Sequence, residues 1–171
     1  MPASCTNLSE HYNIMETASI VFFVTHKEVF LAPKLKGFSP ATKDRLFPYG
    51  GEKRPKETMI GCAIRESQEE STATPITLVP ITEIDFYLGI ELRFHCHVFL
   101  ATQWHGTLRA TKEMGKPEKF PRYSPLPADR MLPGDPEWIQ EILKGRIIPK
   151  GGRIHRDLDM VKAVVELPRT L

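Results

Sequence analysis

Residues 50–73 read GGEKRPKETMIGCAIRESQEESTA, and the way that string divides decides the fold. A glycine pair and a charged, proline-containing turn come first. From there the spacing predicts a helix over Thr58–Ser71, capped by Thr58, with Ile60, Ala63, Ile64 and Ser67 facing inward. An α-helix advances about 100° per residue, so Glu66 and Glu70 lie one turn apart on the same side, and Arg65 and Glu69 share the adjacent strip. Like charges at this spacing cost roughly 0.2–0.5 kcal/mol even on an exposed helix, and more when shielded from water. A hard divalent ion would offset that repulsion, the alternative on spacing alone being a charged face that is simply solvated. Mg²⁺ takes oxygen ligands in an octahedron, uses one or two carboxylates and leaves positions for phosphate oxygens and water. The glycines upstream allow close backbone approach, which brings the Gly50 carbonyl within reach of the same ion. Arg65 can pair with Glu69 and hold that carboxylate in place.

On the N-terminal side, Ala18–Val24 and Val29–Leu31 are β-branched and aromatic around a break at Thr25–Lys27, which predicts a hairpin. Ala32–Arg54 carries enough Pro and Gly to predict a long surface loop. After Pro75, strands are expected at Ile76–Val79 and Ile84–Leu88. Glu91–Leu100 alternates, with Leu92, Phe94, Cys96, Val98 and Leu100 on one face and Arg93, His95 and His97 on the other. His95 and His97 read as satisfied sheet residues, because no His/Cys spacing in the chain supports zinc. Lys112–Pro133 reads as loop with one short strand near Lys119–Tyr123. A second helix runs from Asp135 to Gly145, with Pro136 in its first turn and Trp138, Ile139, Ile142 and Leu143 as its apolar stripe. Met160–Leu167 is Val-rich and predicts a last strand.

With 171 residues and no internal repeat or dividing linker, the chain is expected to form one domain over 1–171, residues 1–16 being a loosely ordered lead-in. Lys and Arg total 23 against 21 Asp and Glu, a balance that gives no reason to expect nucleic-acid binding. The three cysteines, Cys5, Cys62 and Cys96, are scattered and form no disulfide framework, which fits the reducing cytoplasm. Cys62 is expected to be buried and inert. No apolar run reaches the roughly 18 residues of a membrane span. The expected state is a soluble monomer.

The string from Gly51 to Ala73 resembles the Nudix box. Gly51, Glu57, Arg65, Glu66, Glu69 and Glu70 fall in register with its fixed positions. Two positions depart: Ser67 replaces an aliphatic residue, and Thr72 replaces a glycine. The second departure predicts that the helix does not end in a left-handed residue, since β-branched side chains tolerate that conformation poorly. The resemblance implies an α/β fold, an α/β/α sandwich around a mixed sheet, a small-molecule nucleotide as partner, and hydrolysis of a nucleoside diphosphate linked to another group with Mg²⁺ or Mn²⁺. By position it implies Glu66, Glu69, Glu70 and the Gly50 carbonyl as metal ligands and Glu66, Glu69, Glu70 and Arg65 as the catalytic set. Glu69 would alternatively activate water, and Glu57 would support the loop and helix.

Beyond the box, His97-Val98-Phe99, Gly106-Thr107, Glu113-Met114, Leu126-Pro127 and Met131-x-Pro133-x-Asp135 leading to Trp138 resemble the MutT-type branch that hydrolyses oxidised purine nucleoside triphosphates such as 8-oxo-dGTP. That resemblance implies Glu113 as a further metal-site carboxylate. It places Phe47, Gly51, Phe86, Leu88, Met131, Asp135 and Trp138 among the substrate-binding residues. Asp135 is alternatively an N-cap, and Trp138 and Met131 alternatively core residues. Phe47 stands where that branch uses an amide, and Gly134 and a single Asp135 stand in place of an acidic pair, so base specificity is open to change. Hydrolysis of nucleotide sugars, ADP-ribose or dinucleoside polyphosphates is the same-fold alternative, and a nucleotide-binding module without turnover is the non-enzymatic one.

Overall fold

The computed structural model describes residues 15–37 and 39–169; most of the lead-in expected over 1–16 lies outside them. Strand β1 (Glu16–Val24) is the centre of the molecule, because its side chains alternate between two separate cores. Val21 and Phe23 face Ala63, Ala73 and Phe99 on one side of the sheet, while Phe22 and Val24 face Trp138, Ile139 and Ile142 on the other. Burial of a Val or Phe side chain contributes about 1.5–3 kcal/mol, so a strand buried on both faces anchors both layers. Phe22 meets Trp138 edge-on at 5.8 Å, and Phe23 meets Tyr49 at 5.4 Å.

The predicted hairpin is present: β1 turns antiparallel into β2 (Glu28–Pro33). The predicted loop is partly sheet, since β3 (Leu46–Phe47) pairs with β2 and isolated bridges join Val21 to Tyr49 and Ala18 to Glu52. Helix α1 (Met59–Ser71) starts as expected, with the Thr58 side chain accepting the Gly61 N–H at 3.0 Å. The two strands expected after Pro75 are one, β4 (Thr74–Leu88). Pro75 and Pro80 fit inside it because both sit at register shifts against β5 (Glu91–His105), and β7 (Gly152–Arg156) pairs only with Ile84–Leu88. β6 (Glu118–Pro121) pairs with β2, and β8 (Ala163–Glu166) closes the far edge against β7. The order β3-β2-β1-β5-β4-β7-β8 is mixed, with β1·β5 and β4·β7 parallel. With α1 on one face and α2 (Asp135–Leu143) on the other, this is the expected α/β/α arrangement.

Three expectations are corrected. Ile60 is exposed, and α1 turns Cys62, Ala63, Ser67, Glu70 and Ser71 inward, because small side chains let the helix lie close to β1: Cys62 Sγ is 3.5 Å from Ser19 Oγ. Thr72 does adopt the left-handed conformation, at φ 66°. Two bonds hold it there, its N–H donating to Gln68 O at 2.9 Å and its hydroxyl to Thr107 O at 2.9 Å. Asp135 is no N-cap; Gly134, at φ 85°, takes that position, and the Asp135 carboxylate is used elsewhere.

Candidate active site

The glycine pair is held against β1 by two backbone bonds, Ser19 N–H to Gly51 O at 2.9 Å and Val21 N–H to Tyr49 O at 2.7 Å. That alternation turns the intervening Gly50 carbonyl away from β1. Gly50 has φ 135°, and a Cβ there would lie 2.0 Å from Ser19 O, so the backbone approach excludes any side chain. A Cβ on Gly51 would lie 2.5 Å from the Glu66 carboxylate, so Gly51 makes room for a box carboxylate.

Gly50 N–H donates to Glu70 Oε2 at 3.0 Å. Glu70 is buried, and among the described residues it makes no salt bridge. Burial pushes its carboxyl up to about 7; Lys34 and the Gly50 N–H oppose that shift, while Glu66 and Glu113 add to it. Glu66 is raised as well, by burial first, against the pull of Arg65 and with repulsion from Glu69 and Glu113. The predicted Glu113 thus lies in the field of both carboxylates. Its loop is tied beside the helix by Leu35 N–H to Glu113 O at 2.8 Å and by the Thr111 hydroxyl donating to Glu70 O at 3.1 Å.

Arg65 organises the rest. It grips Glu57 with Nε to Oε1 at 2.7 Å and Nη2 to Oε2 at 3.0 Å, and reaches Glu66 at 2.7 Å, Glu69 at 3.2 Å and the Glu52 carbonyl at 3.0 Å. The Glu57 bond holds the guanidinium firmly charged, and that same bond, with the Arg54 N–H at 2.9 Å, lowers the Glu57 carboxyl to about 2. Glu69 is the most open of the three box carboxylates on α1, at 41% side-chain exposure, and Arg54 also reaches it at 3.4 Å.

A cleft leads from Gly50 and Lys34 across the ends of β1, β4 and β5 to α2. Phe47, Phe86, Leu88, Asp135 and Trp138 line it; Gly51 contacts Glu66 instead, and Met131 packs in the core on the α2 side of the sheet. Asp135 is buried against Arg156 of β7 and accepts Trp138 Nε1–H at 2.7 Å. Burial raises its carboxyl, and Arg156 opposes the shift. Both donors meet Oδ1, so Oδ2 is not consumed by either. Sequence reasoning missed Lys34, Tyr49 and Arg156. Each carries an isolated side chain on a strand or loop whose placement depends on non-local pairing. Lys34 covers the Phe47 ring at 5.2 Å, and the buried Tyr49 hydroxyl has no hydrogen-bond partner among the described residues.

An all-oxygen donor set with a buried carboxylate lacking a counter-ion fits a hard divalent cation. No protein-family model matches the chain. Solved structures similar to it include a MutT protein of Bacillus halodurans, at TM-score 0.68 and 18% identity over 89% of this chain and 98% of that one. A Nudix hydrolase of Nitrosomonas europaea aligns at TM-score 0.66 and 16% identity over 85% and 82%. The chain has the fold of the Nudix hydrolases. The string that resembles the Nudix box lies on the helix and glycine turn that this fold sets against β1. The oxidized purine nucleoside triphosphate hydrolase of Mus musculus is 29% identical over 127 residues, 74% of this chain and 78% of its own length. Among the described residues no helix of this Nudix-fold chain is long and apolar enough to cross a membrane.

Proposed function

We propose that the protein is a Mg²⁺-dependent nucleoside triphosphate pyrophosphohydrolase, releasing nucleotide monophosphate and pyrophosphate, with oxidised purine nucleotides such as 8-oxo-dGTP as its substrates. Mn²⁺ fits the same donors. The observation that carries this reading is one cleft with two unlike ends: Gly50, whose N–H holds the buried Glu70 carboxylate behind it, and an aromatic pocket closed by Asp135. Glu66, Glu69, Glu70, Glu113 and the Gly50 carbonyl would hold the metal. When bound, the ion would polarise phosphoryl oxygens and ease ionisation of the attacking water.

The chain's own groups divide the remaining work. Arg65 fixes Glu66 and Glu69 while its other edge is taken by Glu57, so the carboxylates keep their spacing without substrate. Glu69, open and held by two arginines, would alternatively take a proton from water in place of binding the metal. Lys34 offers a positive charge at the phosphate end. Phe47, Phe86 and Trp138 give a flat base apolar walls, and Asp135 Oδ2 accepts from its polar edge. The name of the mouse relative supports the oxidised-purine assignment.

Product analysis over canonical and oxidised nucleoside triphosphates, nucleotide sugars, ADP-ribose and dinucleoside polyphosphates tests the reading. The expected products are monophosphate and pyrophosphate from a triphosphate, with Glu70→Gln losing at least ~100-fold in kcat. Orthophosphate as the sole inorganic product, or turnover of ADP-ribose alone, would reject it.

A further inference from the structure

On the opposite face of the strands that floor the cleft lies a second group of ligand-type side chains. β4 and β5 alternate, so Ile84, Phe86, Phe94 and Cys96 point toward α2 and the cleft, while Glu83, Asp85, His95 and His97 point the other way. Register places Glu83 opposite His97 and Asp85 opposite His95. One ligand atom from each of Glu83, His95 and His97 lies within 4.8 Å of the other two. Glu83 Oε1 stands 3.1 Å from His95 Nε2 and 3.4 Å from His97 Nε2.

These contacts divide in a specific way. Asp85 Oδ1 sits 2.6 Å from His95 Nδ1, which fixes that nitrogen as the N–H donor and turns Nε2 toward Glu83. Lys150 pairs with the other carboxylate oxygen, Glu83 Oε2, so Oε1 alone faces the imidazoles. Three electron-pair donors, two nitrogens and one oxygen, therefore converge. Without a metal, each Nε2 must carry a proton and share Glu83 Oε1 as acceptor. One cation among the three satisfies all of them. In a tetrahedral zinc site with bonds of about 2.0–2.1 Å, neighbouring donor atoms are about 3.3–3.4 Å apart, close to the two spacings from Glu83 Oε1.

We propose that Glu83, His95 and His97 form a second metal site, selective for a borderline divalent ion of the zinc type, with Asp85 orienting His95 and a fourth position open to solvent. The donor set, two imidazoles and one carboxylate, separates it chemically from the all-oxygen box, which suits magnesium. All three ligands are partly exposed, so an ion can enter without unfolding the sheet. The proposal does not depend on the hydrolase reading.

Zn²⁺ alone, titrated into the magnesium-free full chain by calorimetry, tests it. The expected result is a bound ion whose affinity falls at least ~100-fold in His97→Ala and about 10–100-fold in Asp85→Asn, and is unchanged in Glu66→Gln and Glu70→Gln. Co²⁺ added instead should give the intense visible absorption of a four-coordinate ion, lost in His97→Ala. Should that variant not fold, ¹⁵N imidazole spectra of the wild-type chain serve: Zn²⁺ should move the Nε2 signals of His95 and His97, and Mg²⁺ should not. Zinc affinity equal in wild type and His97→Ala, or loss only in the box variants, would overturn the site, as would imidazole signals indifferent to Zn²⁺.

Discussion

Glu70 is the side chain on which the candidate site's energetics turn. A carboxylate taken out of water needs a partner, and the Gly50 N–H is a single donor with Glu66 and Glu113 repelling from nearby. In the absence of metal that arrangement works against folding, and the proposed ion reverses the sign. Glu70→Gln should therefore raise the melting stability of the metal-free protein at neutral pH by about 2 kcal/mol, while abolishing turnover. Adding Mg²⁺ should narrow the gap, because binding stabilises the wild-type chain more. Thermal melts of both proteins in chelator and in Mg²⁺ check this. Glu57 has the opposite character. Its carboxyl is lowered from 4.5 to about 2, so the pair with Arg65 contributes stability that is complete above pH 4.5 and is lost as pH falls through 2. Wild type should be more stable than Glu57→Gln at pH 6, and the difference should vanish near pH 2 in a pH series of melts.

At the scale of the element, α1 shows what periodicity can and cannot tell. The cap at Thr58, the length of the helix and the side carrying Glu66 and Glu70 were legible, because each depends on residues within a turn or two. The buried face was misjudged by Ile60, which is exposed: which stripe faces a sheet depends on how closely the partner strand approaches, and β1 lies far away in sequence. The same reason hides β7 and merges two expected strands into β4, since both depend on pairing across the sheet. The cleft-lining Lys34 and Arg156 were illegible on that ground as well. Ser67 gives the element-scale test. It stands where the box prefers an aliphatic residue, is fully buried, and its hydroxyl has no hydrogen-bond partner among the described residues. Ser67→Ala removes the unpaired oxygen and should stabilise the protein by about 1 kcal/mol, a rise of ~2–4 °C in Tm, with kcat unchanged. A fall in Tm would show that the hydroxyl is satisfied after all.

Across the whole molecule the cleft joins two layers that fold by different contacts: its Gly50 end is built on Phe47 and Tyr49 of the α1-side core, and its aromatic end on the α2-side core. The two ends should therefore answer mutation with opposite signs. Asp135 ties α2 to β7 through Arg156, and that guanidinium is itself only 11% exposed, with the Asp135 carboxylate as its ion-pair partner. Asp135→Asn keeps an acceptor for Trp138 Nε1 but leaves Arg156 uncompensated. Removal of one partner of a buried pair typically costs 3–5 kcal/mol, and the retained amide lowers that to about 3 kcal/mol here. The proposed base contact at Oδ2 disappears with the charge, so KM for the preferred purine triphosphate should rise more than 10-fold while kcat, set at the other end, changes little. Glu70→Gln should do the reverse on both measures, losing kcat and gaining metal-free stability. Parallel melts and steady-state kinetics on the two variants decide the matter: a kcat loss in Asp135→Asn as large as that in Glu70→Gln would mean that the aromatic end takes part in the chemistry and does more than select the base.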